Sequence, residues 1–269
     1  MTLGANAEQK LSLLRDLLRI HAPLVIAYSG GVDSAFLLAV AAETIGADCL
    51  GVIADSPSLP RQALAEALQV AREIGAGIET VPTGEMADSK YTSNPLNRCY
   101  FCKAELFTKL DTLARERGFR AIAYGENADD ARQARSGRRA ATEFQVLAPL
   151  KDVGLTKSEI RALSRMMQLP TAGAPAQPCL SSRIPHGTPV TIAALAMIER
   201  AEAIVRGFGF RIFRVRHHMQ ASRPHARLEI LPNEMPGLEG IAEALLAALR
   251  GVGYEEVLID SARYRSPVA

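Results

Sequence analysis

A glycine- and serine-rich segment near the start of the chain separates an apolar run from an apolar helix pattern. The segment reads SGGVDS at positions 29–34. Two glycines let the backbone turn sharply and approach a ligand closely, and the amide groups that begin the following helix attract an anion. Asp33 would repel a phosphate unless a cation lay between them, so it indicates Mg²⁺. The segment therefore predicts a phosphate site, with a well-capped strand-to-helix turn as the alternative. It is neither a Walker A loop nor a GxGxxG fingerprint.

Three of the four cysteines lie where a thiol is able to react. Cys99 and Cys102 form a CxxC, whose helical spacing brings both sulfur atoms to one side of a helix start. Such a pair is typical of a redox pair, of half a zinc site or of two packed thiols. Cys179 lies in a proline-rich segment beside serines and Arg183, where an exposed, reactive thiol is expected. Cys49 lies in an apolar run and predicts a buried core thiol.

Two arginines share a predicted strand in the last third of the chain. Arg214 and Arg216 are two residues apart, so both point to the same face of the strand. Two guanidinium groups on one face suit a phosphate monoester, and a solvated basic strand or an RNA-binding patch is the alternative. Four neighbouring titratable residues have no assigned role: Glu202, His217, His218 and Glu229.

The elements that must position these residues follow a regular pattern in the first half of the chain. Apolar runs predict strands at 24–28, 49–54, 77–81 and 120–124. Helix patterns between them lie at 7–20, 34–45, 60–74 and 99–117. Strands that alternate with helices indicate βαβ units and a parallel sheet. Thr156 and Glu159 have the spacing of a capping box at a further helix start.

The pattern changes after about residue 170. Residues 170–189 contain five prolines and predict a long loop of functional importance. Beyond it we expect a helix at 191–206, strands at 211–216 and 226–231, a helix at 241–249 and a strand at 256–259. Residues 221–224 predict a connection longer than the usual hairpin. The fold prediction is therefore an α/β domain at 1–170 and a smaller α+β domain at 171–269.

Composition narrows the class of protein. A chain of 269 residues with 48% hydrophobic residues buries a substantial core and is not largely disordered. Its net charge of +2 argues against a general nucleic-acid-binding surface. Apolar stretches such as 35–42 are far shorter than the roughly 20 residues of a membrane span, and four cysteines are too few for a secreted disulfide framework. We therefore expect a cytoplasmic protein with no membrane partner.

The SGGVDS segment resembles the signature of the PP-loop ATP pyrophosphatases, and the resemblance covers roughly residues 20–150. It implies ATP as a cofactor and adenylation of an oxygen atom with release of pyrophosphate. Asp55 and Ser56 lie where such proteins read the adenine or the ribose. Glu126, Asp129 or Asp130 would supply metal or ribose contacts, and a solvated helix N-terminus is the alternative for these acids. The residues implied to hold the pyrophosphate end are Ser29, Gly30, Gly31, Asp33 and Ser34.

Four segments together, SGGVDS, NRCYFCK, PCLSSRIPHGT and RVRHH, resemble the LarE-type ATP-dependent sulfur transferases over nearly the whole chain. These enzymes make the thiolated pyridinium mononucleotide that becomes the nickel-pincer cofactor. The resemblance implies that Cys179 is the sulfur-donating position, which is sacrificed and left as dehydroalanine in members with that cysteine alone. Three-cysteine members are associated with a [4Fe-4S] cluster, so Cys99, Cys102 and Cys179 are expected to hold one, with the fourth iron available for sulfide.

The expected reaction joins these parts. ATP–Mg²⁺ binds the glycine loop, a carboxylate of a pyridinium biscarboxylate mononucleotide attacks the α-phosphate, and a sulfur nucleophile then displaces AMP. The resemblance assigns the substrate phosphate to Arg214 and Arg216, and Arg183 is a further candidate binding residue. Lys103 either stabilises charge on the adenylate or is a helix-surface lysine. A sulfide donor and a homo-oligomeric assembly are the implied partners.

Several alternatives remain open at the level of the sequence. The three cysteines are also able to hold zinc, or Cys179 alone is sacrificed in the same reaction. A tRNA-thiolating PP-loop enzyme shares the ATP and sulfur chemistry but needs a larger basic surface. An amide-forming PP-loop ligase has no use for three cysteines. A nucleotide-binding metal protein without catalytic activity is the non-enzymatic alternative.

Overall fold

A computed structural model of the chain describes residues 5–130 and 136–260. The chain forms two compact units, which we call unit 1 and unit 2. Unit 1 comprises residues 1–85 and 97–177, and unit 2 comprises residues 86–96 and 178–269. A short segment within the first hundred residues therefore belongs to unit 2. None of the described helices is long and apolar enough to cross a membrane.

The helices and strands have well-defined bounds. The helices are α1 (Ala5–His21), α2 (Val32–Ile45), α3 (Arg61–Ile74), α4 (Ser89–Thr92), α5 (Arg98–Arg117), α6 (Ser136–Glu143), α7 (Pro149–Asp152), α8 (Lys157–Met166), α9 (Ile192–Gly207) and α10 (Ala242–Gly251). The strands are β1 (Leu24–Ala27), β2 (Cys49–Asp55), β3 (Gly77–Pro82), β4 (Ala121–Tyr124), β5 (Phe213–Gln220), β6 (Arg223–Ile230) and β7 (Glu256–Asp260).

Unit 1 is built on a four-stranded parallel sheet in the order β3-β2-β1-β4. The central strand β1 is buried on both faces, because Leu24 and Ile26 belong to one apolar cluster and Val25 belongs to another. Burial on both faces explains why β1 is a continuous apolar run in the sequence. The α/β class and the parallel sheet that the sequence predicts are thereby confirmed.

The strand order sets where a ligand binds in unit 1. β1 lies between β2 and β4: the chain leaves β1 towards β2 on one side, and β4, which the chain reaches later from β3, lies on the other side. In open α/β sheets, ligands bind in the crevice beside the carboxyl ends of the strands at such a switch point. The SGGVDS segment follows β1, and the segment 125–130 follows β4. The two segments that the sequence singles out therefore meet at this crevice.

Unit 2 contains a three-stranded sheet in which β5 and β6 are antiparallel and β7 is parallel to β6. One face carries the apolar cluster, to which α9 contributes Val205, α10 contributes Leu245 and β5 contributes Val215. Residues that alternate with this apolar set, among them Arg214 and Arg216, lie on the opposite face. Unit 2 thus combines a mixed three-stranded sheet with two helices that pack on its apolar face.

The β5–β6 connection corrects one prediction. Residues 221–224 were expected to form a long connection, but Arg223 and Pro224 belong to β6 and pair with β5. The turn consists of Ala221 and Ser222, with φ angles of 47° and 64°. Two-residue hairpin turns of the I′ type need positive φ at both positions and usually contain Asn or Gly. Because neither residue carries that signal, the sequence suggested a looser connection than the one that forms.

Two further local predictions have clear outcomes. The capping box at α8 is confirmed, because the Thr156 side chain accepts from the Glu159 amide and the Glu159 side chain accepts from the Thr156 amide. The proline-rich stretch 170–189 is not entirely irregular. It contains two short 3₁₀ helices, Pro170–Gly173 and Leu180–Arg183.

Candidate functional site

The glycine loop after β1 has a conformation that requires glycine. Gly30 has a φ of +74°, and a Cβ at this position would lie 2.6 Å from the Cβ of Ala67 in α3. The hydroxyl oxygens of Ser29 and Ser34 are 3.0 Å apart, and the Ser29 amide donates to Ser34 Oγ at 3.1 Å. Gly31 is the N-cap of α2 and contributes no side-chain cap. The first amide groups of a 14-residue helix therefore open onto the crevice without a capping side chain.

A second glycine, after β4, brings another backbone segment against this loop. A Cβ on Gly125 would lie 2.7 Å from the amide nitrogen of Ser34 and 3.0 Å from the carbonyl carbon of Asp33. Such distances leave no room for a side chain, so the two backbones approach as closely as glycine permits. This contact joins the two sequence motifs into one site in unit 1.

The two carboxylate oxygens of Asp33 have different surroundings. Its Oδ2 accepts hydrogen bonds from Lys157 Nζ at 2.8 Å and from Asn127 Nδ2 at 3.2 Å. Its Oδ1 is buried and has no hydrogen-bond partner among the described residues. Lys157 thus places a cation at one of the two oxygens of Asp33, and the Mg²⁺ that the sequence indicates beside this residue stays a prediction. The other oxygen has the chemistry to bind a hard cation such as Mg²⁺.

The acidic residues after β4 are held within the protein. Glu126 accepts from Arg138 Nε at 2.6 Å and from the Tyr124 hydroxyl, and Lys151 lies 3.8 Å from its Oε2. Burial alone would raise the pKa of Glu126, but the hydrogen bonds from Tyr124 and Arg138 outweigh it and the pKa is lowered. Asp129 accepts from the Lys157 amide at 2.8 Å, at the first residue of α8. Glu126 is thus a buried, paired carboxylate, unlike an acid on a solvated helix N-terminus.

These side chains surround a polar cavity of about 150 Å³ in unit 1. Lys103 reaches it from α5, with Nζ 4.6 Å from the centre of the Tyr124 ring. Gly137 in α6 leaves room for this lysine, because a Cβ there would lie 2.8 Å from Lys103 Cδ. Lys103 therefore lines the cavity. The lining residues are Asp33, Lys103, Tyr124, Gly125, Glu126, Asp130 and Arg138.

The residues suggested for adenine or ribose recognition lie at the end of β2. Asp55 is the last residue of the strand, not the residue after it, and it pairs with Arg61. The Ser56 hydroxyl is 2.8 Å from the Ser58 hydroxyl and donates to Glu85. Both side chains are thus engaged by the protein.

The four cysteines differ in their surroundings, as the sequence suggested. Cys49 is buried in the main apolar cluster, and burial raises the pKa of its thiol to about 12. Cys99 is exposed and Cys102 half-buried in the first turns of α5, and Cys179 is half-buried in unit 2. Among the described residues, which include all four cysteines, no group of three His, Cys, Asp or Glu side chains is arranged as a metal site. The cluster therefore stays a prediction.

Arg183 organises the backbone around Cys179. Its guanidinium group forms a bidentate pair with Glu202, at 2.8 and 3.0 Å, and the two side chains are 7% and 6% exposed. The same group donates to the carbonyl oxygens of Pro178 at 2.6 Å and of Cys179 at 3.2 Å. Glu202 also accepts from the Val215 amide at 3.2 Å. Arg183 therefore connects the Cys179 segment, through Glu202, to the backbone of β5 in unit 2.

The arginines of β5 differ in how they are held. Arg216 donates to Glu229 at 3.0 Å and to the Ser182 carbonyl oxygen at 2.8 Å. Arg214 is buried. His217 lies on the apolar face, where its Nδ1 is 3.3 Å from the Tyr254 hydroxyl and where burial lowers its pKa.

Two known proteins are similar to this chain over almost its whole length. The uncharacterized protein slr1717 of Synechocystis sp. is 38% identical over 261 residues, which are 96% of each chain. A Lactiplantibacillus plantarum protein, named pyridinium-3,5-bisthiocarboxylic acid mononucleotide synthase, is 27% identical over 98% of this chain and 94% of its own length. This chain belongs to the LarE-like family.

A third relative of this LarE-like chain is archaeal. The uncharacterized protein MJ0830 of Methanocaldococcus jannaschii is 25% identical over 90% of this chain and 91% of its own length. No protein-family model matches the chain.

Three residues of the LarE-like unit 1 site carry no functional signal in the sequence. Lys157 stands out only as the first residue of a capped helix, although it lies 124 positions from Asp33. Arg138 lies on a short polar helix, and Tyr124 ends an apolar strand. Their positions depend on contacts between distant segments, which local spacing does not encode.

Proposed function

We propose that this chain is a PP-loop ATP-dependent sulfur transferase that replaces oxygen by sulfur in the carboxylates of a pyridinium biscarboxylate mononucleotide. ATP binding is supported by one observation above all: Gly125 packs directly against the start of α2, beside Asp33. The proposed substrate rests on the L. plantarum relative, which is named pyridinium-3,5-bisthiocarboxylic acid mononucleotide synthase. Such an enzyme works in the biosynthesis of the nickel-pincer cofactor.

The glycine loop would bind the pyrophosphate end of ATP. Uncapped amides at the start of α2 donate to phosphate oxygens, and the ammonium groups of Lys157 and Lys103 offset negative charge near the cavity. The buried Oδ1 of Asp33 is a suitable oxygen ligand for the Mg²⁺ that accompanies ATP. Pre-positioned cations and amides of this kind stabilise charge that develops during phosphoryl transfer.

The chemistry has two balanced steps. A substrate carboxylate oxygen attacks the α-phosphorus of ATP, the bond to the β-phosphate oxygen breaks, and pyrophosphate leaves. A sulfur nucleophile then attacks the carbonyl carbon of the acyl-adenylate, and AMP leaves with the electron pair of the broken C–O bond. AMP is a far better leaving group than oxide, so ATP makes the exchange feasible. Two rounds convert both carboxylates.

The sulfur would come from the three cysteines that are not buried in the core. Thiolates suit cluster iron, and Cys99, Cys102 and Cys179 are more accessible than Cys49. A [4Fe-4S] cluster held by these three thiolates would supply an iron site for a transferred sulfide delivered by an external donor. The alternative within the same reaction is sacrifice of Cys179. Its thiolate would displace AMP to form a thioester, and loss of the Cα proton with cleavage of the Cβ–Sγ bond would then release the thiocarboxylate and leave dehydroalanine.

An assay of AMP release and product formation tests the proposed function. With the pyridinium biscarboxylate mononucleotide present, we expect the anaerobically purified protein to convert ATP into AMP and pyrophosphate and to form thiocarboxylate. AMP release that responds to tRNA and not to this nucleotide would replace the proposal with a tRNA-thiolating enzyme. Failure of both to stimulate AMP release would favour a nucleotide-binding protein without turnover.

Metal analysis of matched cysteine variants decides between the sulfur sources. A cluster predicts about four irons per chain in the wild type, their loss in Cys99→Ala and their retention in Cys49→Ala. A colourless protein whose Cys179 loses the mass of H₂S after one ATP-dependent turnover would establish sacrifice. Zinc bound in place of iron would identify a structural metal site.

A further inference from the structure

Residues 86–96 belong to unit 2, although they lie between two stretches of unit 1 in the sequence. Their backbone forms hydrogen bonds with the end of the proline-rich stretch, which also lies in unit 2. The Gly187 amide donates to the Asn94 carbonyl oxygen at 3.0 Å. The Val190 amide donates to the Thr92 carbonyl oxygen at 2.8 Å. Backbone atoms of a segment that is distant in the sequence therefore hold this part of the loop.

The side chain of Asn94 holds the same loop from within the protein. Asn94 is fully buried, and its Nδ2 donates to the carbonyl oxygens of Pro185 and Thr188, each at 2.8 Å. A side-chain amide nitrogen carries two hydrogens, so each carbonyl oxygen is able to take one. These residues are the first and last of a turn, in which the Thr188 amide donates to the Pro185 carbonyl oxygen at 3.0 Å. The backbone of Asn94 has a φ of 56°, which asparagine adopts more readily than most residues.

Tyr91 holds the part of the loop that lies next to Cys179. The Tyr91 hydroxyl is 2.7 Å from Ser181 Oγ, and both side chains are buried. Ser181 belongs to the short 3₁₀ helix Leu180–Arg183, whose N-cap is Cys179. The Ser182 amide donates to the Cys179 carbonyl oxygen at 3.0 Å. Tyr91 therefore fixes a helical turn that begins at the cysteine itself.

We propose that Asn94 and Tyr91 are positioning residues, which hold residues 179–190 in one conformation and thereby place Cys179 for sulfur transfer. A reacting group that is misplaced by about 1 Å costs roughly 100-fold in rate, and a surface loop does not meet that tolerance unless other contacts fix it. The requirement is the same whether the sulfur is that of Cys179 or a sulfide on a cluster that it holds. The role in sulfur transfer rests on the proposed function, whereas the hold on the loop rests on these contacts.

Hydrogen exchange of the full-length protein, read by mass spectrometry, tests the hold on the loop. In Asn94→Gly the backbone keeps its positive φ without strain, so the variant removes the side-chain amide alone. We expect the amides of residues 184–190 to exchange about 10- to 30-fold faster, with β5 unchanged. Ser93→Ala is the matched control, because Ser93 is the exposed neighbour of Asn94, and it should exchange like the wild type.

A milder variant, Tyr91→Phe, keeps the buried ring and removes the hydroxyl group. It should accelerate exchange in residues 180–184, and it tests the same inference if Asn94→Gly does not fold. Unchanged exchange in this loop in Tyr91→Phe, and in Asn94→Gly where that variant folds, would refute the hold on the loop.

The rate of sulfur transfer is the second readout. We expect Asn94→Gly to lower kcat for thiocarboxylate formation about 10- to 100-fold. Its affinity for ATP, measured by calorimetry, should equal that of the wild type, because the glycine loop lies in unit 1. General destabilisation would instead weaken both properties. Tyr91→Phe should act in the same direction with a smaller effect, and Ser93→Ala should keep the wild-type values.

The outcomes separate this inference from the proposed function. If the mononucleotide is thiolated and the Asn94 and Tyr91 variants keep the wild-type kcat, the positioning role is wrong and the proposed function stands. This conclusion holds even where exchange is faster, because the two residues would then stabilise the loop without placing Cys179. If exchange is faster in the variants but the wild type does not thiolate the mononucleotide, the hold on the loop stands and the proposed function is wrong.

Discussion

The side chain of Lys157 donates to Asp33 Oδ2 at 2.8 Å, although the two residues are 124 positions apart in the sequence. Asp33 lies in the first turn of α2, after the glycine loop, and Lys157 begins α8. A negative charge beside a phosphate site repels its ligand unless a cation accompanies it. Lys157 meets this requirement from within the protein.

Replacing Lys157 by Met should weaken ATP binding. The change removes a cation beside the glycine loop and leaves Asp33 with Asn127 as a partner at 3.2 Å. We expect KM for ATP to rise about 10- to 100-fold and the free energy of unfolding to fall by about 1 kcal/mol. Lys109→Met is the matched control, because Lys109 is a solvent-exposed lysine 3.9 Å from Glu105. Wild-type affinity for ATP in Lys157→Met would contradict this role.

Gly125→Ala should disturb the loop that ATP is proposed to bind. The new methyl group would lie 2.7 Å from the Ser34 amide nitrogen, so the start of α2 must shift. We expect a loss of about 1–3 kcal/mol in the free energy of unfolding and weaker nucleotide binding by calorimetry. Gly207→Ala has open space around the new methyl group at the end of α9, and it should stabilise the protein by about 0.5–1 kcal/mol. Equal effects of the two substitutions would refute the close approach.

The contrast between Gly30 and Gly125 shows how much of the site could be predicted. Gly30 belongs to a six-residue motif, where spacing alone indicates a turn and an anion site. Gly125 is needed because β4 ends beside the start of α2, and that neighbourhood depends on the strand order. The parallel sheet was predictable because buried strands and helix patterns alternate visibly. The roles of Lys157 and Arg138 could not be predicted, because they depend on packing between distant segments. The two-residue turn at Ala221 could not be predicted either, because positive φ angles in non-glycine residues leave no pattern in the local sequence.

The buried carboxylate of Glu126 should make stability depend on pH in the acidic range. Hydrogen bonds from Tyr124 and Arg138 keep the folded-state pKa below the ordinary value of 4.5. A depressed carboxylate pKa stabilises the folded state above the unfolded-state pKa, and this contribution disappears as pH falls through the folded-state pKa. We therefore expect the stability difference between the wild type and Glu126→Gln to be largest near neutral pH and to shrink below about pH 4.5.

Denaturant titrations at several pH values measure this difference. Glu116→Gln is the control, because Glu116 is exposed at the end of α5, and its stability difference should stay small and nearly constant. A Glu126→Gln protein as stable as the wild type at pH 7 would show that the hydrogen bonds to Glu126 contribute no net stability.

Arg183 is expected to control the reactivity of Cys179 without touching its sulfur atom. Its guanidinium group is paired with Glu202 and holds the carbonyl oxygens of Pro178 and Cys179. Removing one member of a buried ion pair leaves an uncompensated charge, so Arg183→Met should lower the free energy of unfolding by about 3–5 kcal/mol. Loss of the backbone contacts should also increase the rate at which iodoacetamide alkylates Cys179, measured by peptide mapping.

The double variant Arg183→Met/Glu202→Leu separates the two effects. It removes both charges, so it should regain most of the lost stability. The contacts to Pro178 and Cys179 remain absent, so the Cys179 thiol should still be alkylated faster than in the wild type. Cys99 lies in unit 1 and is exposed, and its alkylation rate should be the same in all three proteins. If the double variant also restored slow alkylation of Cys179, the single variant's effect would come from general destabilisation, and Arg183 would not position the cysteine.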